Sequence, residues 1–324
     1  MDAPTRDDTI LVTGGAGFIG SNLVDRLLAE GRHVVVVDDL STGRLANLAA
    51  ARAHGGGRFE FQRLDITSGA LEAVVDKHRP DLIMHLAAQM NVRASVADPQ
   101  RDARVNILGT IEVLEAARRH GTRKVVFATS GGCIYGEPPE EELPIGEDHP
   151  GYAHSPYGAS KRSAEEYLRT YRELYGLAWT SLALSNVYGP RQDPYGEAGV
   201  VAIFTDQILA GQPTVIYGDG EQTRDFVYVD DVVHAFALAM ERGDDARFNI
   251  GTGERTSVNQ LFRALAAATD YPHDPVHAPQ RPGELRHSAL DCRKAAQGLG
   301  WKPWTTLEEG LAATLHGVAD ATPA

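Results

Sequence analysis

Ile10-Leu11-Val12-Thr13-Gly14-Gly15-Ala16-Gly17-Phe18-Ile19-Gly20 is the stretch on which the fold turns. Its first four residues form a short apolar run, the kind buried on both faces of a parallel sheet. Glycines follow at 14, 17 and 20, and from 21 to 30 Leu23, Val24, Leu27 and Leu28 recur at helical spacing. Gly31 is placed to stop that helix. A strand, a glycine turn and a helix in this order hold a dinucleotide. The first glycine allows the sharp turn, the second lets backbone approach the pyrophosphate, and the third lets helix pack on strand. The helix N-terminus then offers free N–H groups and a positive dipole end to the phosphates.

The same rhythm continues outward. Strands are expected at 33–37, 58–63, 81–86, 124–129 and 178–184, with helices at 68–78, 98–120 and 156–175 between them. In the helix at 98–120, Val105, Leu108, Ile111 and Leu114 fall on one side. Strands alternating with helices predict an α/β fold, a doubly wound parallel sheet of the Rossmann kind. Beyond about residue 184 glycine and proline become frequent and strands such as 213–217 are short, which predicts a smaller α/β C-terminal substrate domain. The run 247–250 is expected to return to the main sheet. The division is therefore discontinuous: 1–184 with about 225–255 for the dinucleotide, and 185–224 with about 256–324 for the substrate.

The 324 residues suffice for one large or two modest domains, and the formal charge of −13 speaks against nucleic acid or an anionic membrane as partner. No apolar run approaches the roughly 18 residues of a membrane span. The start of the chain is acidic and polar rather than leader-like, and two cysteines cannot build a disulfide framework. A cytoplasmic setting is expected. Twelve histidines are scattered without metal-ligand spacing, so no metal site is expected.

Asp38 closes the second strand. A carboxylate there can bond the adenosine ribose hydroxyls and repels a 2′-phosphate, which favours NAD over NADP. Further on, Ser155-Pro156-Tyr157-Gly158-Ala159-Ser160-Lys161 opens the helix at 156–175. Tyr157 and Lys161, four apart, share a face. A nearby ammonium favours the phenolate, so the tyrosine pKa is expected to fall and Tyr157 to serve as a general base toward an alcohol. Alone, such a pair is commonly a surface feature; behind a dinucleotide loop it points to redox chemistry at an alcohol carbon.

With these residues stand His85-Leu-Ala-Ala88, Asn106 with Gly109-Thr110, Asn186-Val-Tyr-Gly-Pro-Arg191, Gly218-Asp-Gly220 with Arg224-Asp225-Phe226, Asn249-Ile-Gly-Thr-Gly253 and Arg281-Pro-Gly-Glu284. In this order they resemble an extended short-chain dehydrogenase/reductase, specifically a nucleotide-sugar epimerase of the UDP-glucose/UDP-galactose 4-epimerase type. The resemblance runs from Ile10 to about Trp301. It implies that Tyr157 takes the sugar 4-hydroxyl proton as hydride leaves C4 for NAD, that the 4-keto sugar rotates, and that hydride returns to the opposite face. It assigns Gly14, Gly17, Phe18, Ile19, Gly20, Asp38, Asp39, Asp65, Ile66, Leu86, Ala87, Ala88 and Asn106, with Tyr157 and Lys161, to the cofactor. It assigns Asn186, Tyr217, Arg224 and Arg281 to the nucleotide-diphosphate sugar. Guanidinium forks match phosphate oxygens, which suits the two arginines. It also implies a homodimer formed through the helices at 98–120 and 156–175.

Two positions depart from that pattern. The third catalytic hydroxyl of the family falls here on Gly131, leaving Ser130 and then Thr129 as the nearest substitutes. The acid pair of related 4,6-dehydratases falls on Gly132 and Cys133. A buried small residue is the simpler reading of Cys133; a dehydratase using its thiol is the rival function. Seven residues beyond Arg281 stands Ser288, a small side chain where a large one would restrict the sugar C2 substituent. UDP-N-acetylglucosamine is therefore expected to be admitted beside UDP-glucose.

Overall fold

The structure is a computed structural model, and it describes residues 8–195, 199–280 and 285–321. Seven strands form the central sheet: β1 (Thr9–Thr13), β2 (His33–Asp38), β3 (Phe59–Arg63), β4 (Leu82–His85), β5 (Lys124–Ser130), β6 (Ala178–Leu184) and β7 (Ala246–Ile250). Their order is β7-β6-β5-β4-β1-β2-β3, and every pairing is parallel. The returning strand expected near 247–250 is β7, seated on β6. The chain steps outward from β1 to β3 and then restarts on the other side of β1 with β4. A crevice must open at the carboxyl ends of β1 and β4, where the order reverses.

Alternation along β1 feeds two cores. Ile10 and Val12 pack with Leu23, Val24 and Leu27 of α1 (Phe18–Ala29). Leu11 faces the opposite layer, built from α2 (Leu71–His78), α3 (Gly109–His120) and α4 (Pro156–Tyr175). A further helix, α5 (Val229–Ala239), adds Val232 and Phe236 to the first core. Helix α1 begins at Phe18 rather than 21, so Gly20 lies in its first turn. Helix α4 opens with Pro156 in its first turn and the Ser155 hydroxyl accepting from Gly158 N–H at 3.2 Å.

The single helix expected at 98–120 is interrupted. A short helix, Pro99–Ala103, leads into a π-turn at Arg104–Leu108 before α3 starts. One extra residue in that turn rotates the apolar stripe, so Asn106 is buried at 2% exposure and Leu108 lies 54% exposed. Simple periodicity predicted the reverse for Leu108. The polar bonds of Asn106, described below, compensate for the distortion.

Beyond β6 the chain makes three small pairings. Asn186–Tyr188 runs parallel to Phe226–Tyr228, Val215–Tyr217 parallel to Val276–Ala278, and Thr223–Arg224 antiparallel to Thr256–Ser257. Asp225, between Arg224 and Phe226, ties the first and the last of these together. Its carboxylate is fully buried and accepts from the backbone N–H of Thr252 (2.7 Å), Gly253 (3.1 Å) and Leu290 (3.1 Å), and from the Thr252 hydroxyl (2.7 Å). Its carbonyl accepts from Asn186 N–H at 2.9 Å. Among the described residues no helix is long and apolar enough to cross a membrane. Asp225→Asn keeps the shape but exchanges an acceptor oxygen for a donor facing other donors. The expected loss is about 2–4 kcal/mol of stability, read as a lower urea midpoint at unchanged slope.

Candidate active site

Gly14 turns the chain out of β1 with φ +70°, and a Cβ there would meet Ala87 N at 2.7 Å. A Cβ on Gly20 would lie 2.2 Å from the Gly14 carbonyl. Both positions exclude a side chain because backbone meets backbone. Leu86 N–H bonds the Thr13 carbonyl at 3.1 Å and Ala87 N–H the Thr13 hydroxyl at 3.2 Å, which sets the segment from Leu86 to Ala88 along one wall of the crevice. This narrow, backbone-lined cradle fits a dinucleotide diphosphate.

Asp38 sits at the mouth of that cradle, 7% exposed. Its carboxylate accepts from Ala16 N–H at 2.9 Å and Leu40 N–H at 2.8 Å. Burial raises its pKa, and these two bonds oppose the rise. Each oxygen retains a lone pair for a ribose hydroxyl. Asp39 and Asp65 are exposed and bond their own turns, through Ser41 and Thr67. Ile66 is buried and packs at the start of α3, where a Cβ on Gly109 would meet its Cδ1 at 2.7 Å.

Tyr157 and Lys161 project from one face of α4 into the same interior, 9% and 3% exposed. The Lys161 ammonium donates to the Ala128 carbonyl at 2.9 Å and stands 4.6 Å from the Phe127 ring centroid and 6.0 Å from that of Tyr157. Burial pulls its pKa down to about 8, and the charges of Asp102 and Glu165 oppose that fall. The tyrosine behaves differently from the sequence expectation. Its pKa is raised: burial dominates, the charges of Cys133 and Asp102 add to it, and a hydrogen bond with Ser130 works against them. The ammonium alone does not overcome desolvation.

Ser130, at the end of β5, is therefore the hydroxyl next to Tyr157. Thr129 is 3% exposed, and its hydroxyl has no hydrogen-bond partner. The absence of a side chain at 131 has a packing cause. A Cβ on Gly131 would lie 2.4 Å from Leu290 Cδ1 and 3.2 Å from the Leu184 carbonyl. Gly158 is held as closely: a Cβ there would meet the Cys133 carbonyl at 2.5 Å, so glycine lets the start of α4 touch the loop.

His85 is also buried and neutral, its pKa lowered to about 3 by burial and then by the charge of Lys161. Its Nδ1 lies 2.8 Å from the Thr13 hydroxyl and its Nε2 3.0 Å from that of Thr110, which itself donates to the Asn106 carbonyl at 2.7 Å. Thr110 must then accept from His85, which places the imidazole proton on Nε2. Asn106 reaches Gln89 from both ends of its amide, at 2.9 Å and 2.8 Å.

On the opposite side of the crevice, Arg224 donates to the Thr223 carbonyl at 2.8 Å and Tyr217 accepts from Gln222 through its carbonyl at 2.9 Å. The Thr223 hydroxyl lies 2.9 Å from His287 Nδ1, and Thr223 N–H donates to the Arg286 carbonyl at 3.0 Å. Ser288 follows directly, half-buried. Asn186 and Arg224 thus meet the segment carrying Ser288 around Asp225. Arg281 lies outside the described residues. Among the described residues no cluster of histidine, cysteine and acid side chains could hold a metal ion. Two features escaped sequence reasoning: Asp102, buried beside α4, and Leu290 against Gly131. Neither has a local signal, because each acts across a long sequence separation.

Residues 11–314 match the family model described as GDP-mannose 4,6 dehydratase. The UDP-glucose 4-epimerase of Mycolicibacterium smegmatis is 52% identical over 307 residues, covering 94% of this chain and 97% of that protein. A crystal structure of UDP-glucose 4-epimerase from Thermotoga maritima with UDP-glucose superposes with a TM-score of 0.92 at 48% identity, over 97% of this chain and 99% of that one. UDP-glucose 4-epimerase from Thermus thermophilus in complex with NAD gives 0.88 at 43% identity, over 97% and 100%.

The packing at Gly131 is testable. Gly131→Ser is expected to cost about 1–3 kcal/mol through overpacking. Combined with Leu290→Ala it should cost less than the sum of the two single changes. Thermal melts of the four proteins measure the coupling, and strict additivity refutes the contact.

Proposed function

Because the chain belongs to the extended short-chain dehydrogenase/reductase family, we propose that it is an NAD-dependent nucleotide-sugar 4-epimerase. Its substrates in this reading are UDP-glucose and UDP-galactose, with the N-acetyl forms also admitted at Ser288. The observation that carries the reading is the hydroxyl pair of Ser130 and Tyr157 beside the Lys161 ammonium, at the crevice next to the glycine cradle.

Bound NAD supplies a hydride acceptor and donor and a positive charge. Tyr157 takes the proton of the sugar 4-hydroxyl and later returns it to the same oxygen. Ser130 stabilises its phenolate by hydrogen bonding, the one contact that lowers its pKa. Lys161, pinned by Ala128, presents a fixed cation to the ribose and the tyrosine. Gly14, Gly17, Phe18, Ile19 and Gly20 hold the pyrophosphate; Asp38 and Asp39 face the adenosine ribose and disfavour NADP; Asp65 and Ile66 take the adenine. Leu86, Ala87, Ala88 and Asn106 line the nicotinamide side. Asn186, Tyr217, Arg224 and Arg281 secure the nucleotide diphosphate while the sugar turns over.

In this reading residues 1–184 with about 225–255 bind the cofactor, and 185–224 with about 256–324 bind the sugar nucleotide. A homodimer through the helical stretches 98–120 and 156–175 is part of it, supported by Leu108, Tyr167, Leu174 and Tyr175, which lie 39–65% exposed. A cytoplasmic setting suits the two free cysteines. A dehydratase is the second reading, favoured by the free thiol of Cys133, whose backbone touches the start of α4 at Gly158.

The test is a panel of UDP-, GDP- and dTDP-sugars with NMR of the products. Inversion at C4 of UDP-glucose and UDP-N-acetylglucosamine is expected; loss of water favours the second reading, and no change anywhere overturns both. NAD should survive dialysis of the purified protein. Ser130→Ala should lower kcat by about 10²-fold or more, with Thr129→Ala close to wild type; the opposite ranking transfers the role to Thr129. Activity should fall as the pH rises past about 8, where Lys161 loses its proton.

A further inference from the structure

Asp102 is a fully buried carboxylate in the helix preceding the π-turn. Its Oδ2 accepts from the Ser160 hydroxyl at 2.5 Å, and its Oδ1 from Gln89 Nε2 at 2.8 Å and Asn106 Nδ2 at 3.0 Å. All three donors are neutral, so the bonds satisfy its lone pairs without balancing its charge. Ser160 is the residue before Lys161. Lys161 is buried on the same helix at 3% exposure, and the charge of Asp102 reaches it through that interior.

Among the described residues facing Lys161, Asp102 is a carboxylate whose hydrogen-bond donors are all neutral. Glu165, one turn further along α4, is engaged by the Arg247 guanidinium, with Nε at 2.9 Å, and by the Ser181 hydroxyl at 2.5 Å. His85 faces Lys161 from β4 and is neutral. Tyr157 shares its helix, Cys133 stands in the short helical turn Gly131–Ile134 before it, and β5 contributes the Ala128 carbonyl. Asp102 is first among the charges that hold the Lys161 pKa up, and it also raises that of Tyr157.

We propose that Asp102 is a positioning residue: the buried counter-charge that keeps Lys161 an ammonium and, through Ser160, sets α4 against the cofactor wall formed by Gln89 and Asn106. This rests on Tyr157 and Lys161 being the working pair. The π-turn serves the same end, since it turns the Asn106 amide inward onto Asp102 and Gln89 together. A carboxylate placed here acts on both members of the pair in one direction. Its removal makes the ammonium easier to deprotonate and the phenol easier to ionise.

Asp102→Asn isolates the charge. The new amide oxygen can still accept from Gln89 and Asn106, and its NH2 can donate to the Ser160 hydroxyl, which accepts as readily as it donates. The purified protein, without sugar, is labelled at the lysine side-chain carbons, and Lys161 is assigned by difference from Lys161→Arg. In Asp102→Asn the Lys161 titration is expected to move down by about one pH unit or more from its wild-type position. In the sugar assay both limbs of the pH–kcat profile should move to lower pH together. Ser160→Ala removes the hydroxyl and leaves the charge, so its Lys161 titration should stay with wild type. An unmoved titration in Asp102→Asn, or an equal shift in Ser160→Ala, overturns the proposal. Should Asp102→Asn fail to fold, the wild-type protein decides: the Asp102 carboxyl carbon should report an inflection at the Lys161 midpoint, and its absence refutes the pairing. The titrations need no turnover, so an inactive sugar panel would sink the epimerase reading and leave this result standing.

Discussion

The carboxylate of Asp225 is the constraint on which the rest of the crevice depends. A buried anion must be surrounded by donors, and here backbone N–H groups from two distant segments supply them. Meeting that requirement draws the loop after β7 and the segment before Leu290 onto the strand pair at 186–188 and 226–228. Asn186, Arg224 and Ser288 come together as a consequence. Burial raises the carboxyl pKa, and the hydrogen bonds work against the rise. The charge is tolerated because its donors are fixed, and those donors are fixed because the charge is there.

A second constraint is dryness around α4. Tyr157, Lys161, His85 and Asp102 are all at most 9% exposed. Desolvation lowers the lysine and histidine pKa values and raises that of the tyrosine. Proximity of Lys161 to Tyr157 suggests an activated phenolate, yet burial outweighs it. The pair lies in a low-dielectric interior, where a charge counts for far more than it would in water.

Much of this was legible in the order of residues. The strand–glycine–helix opening, the alternating elements and the return of a late strand to the sheet all rest on local patterns with one structural solution. Tyr157 and Lys161 could be paired from helical spacing alone. The π-turn at Arg104–Leu108 could not, because its polar compensation comes from Gln89, Asp102 and Thr110, and periodicity sees only the apolar stripe. The choice between Ser130 and Thr129 was equally hidden. Neighbours in a strand point apart, and only the position of α4 shows that the Ser130 hydroxyl acts on the tyrosine.

The sequence by itself determined the sheet, the cradle and the shared helix face of the tyrosine and lysine, since each follows from contacts within a few residues or from a repeating period. Only the tertiary structure shows which hydroxyl lies beside the tyrosine, why residue 131 carries no side chain, and which carboxylate is buried against α4. Those depend on Leu290 meeting Gly131, on Ser130 meeting Tyr157, and on Asp102 meeting Ser160. The reason is physical: packing and desolvation are properties of a neighbourhood, and these neighbours are brought together by the fold rather than by the order of the chain.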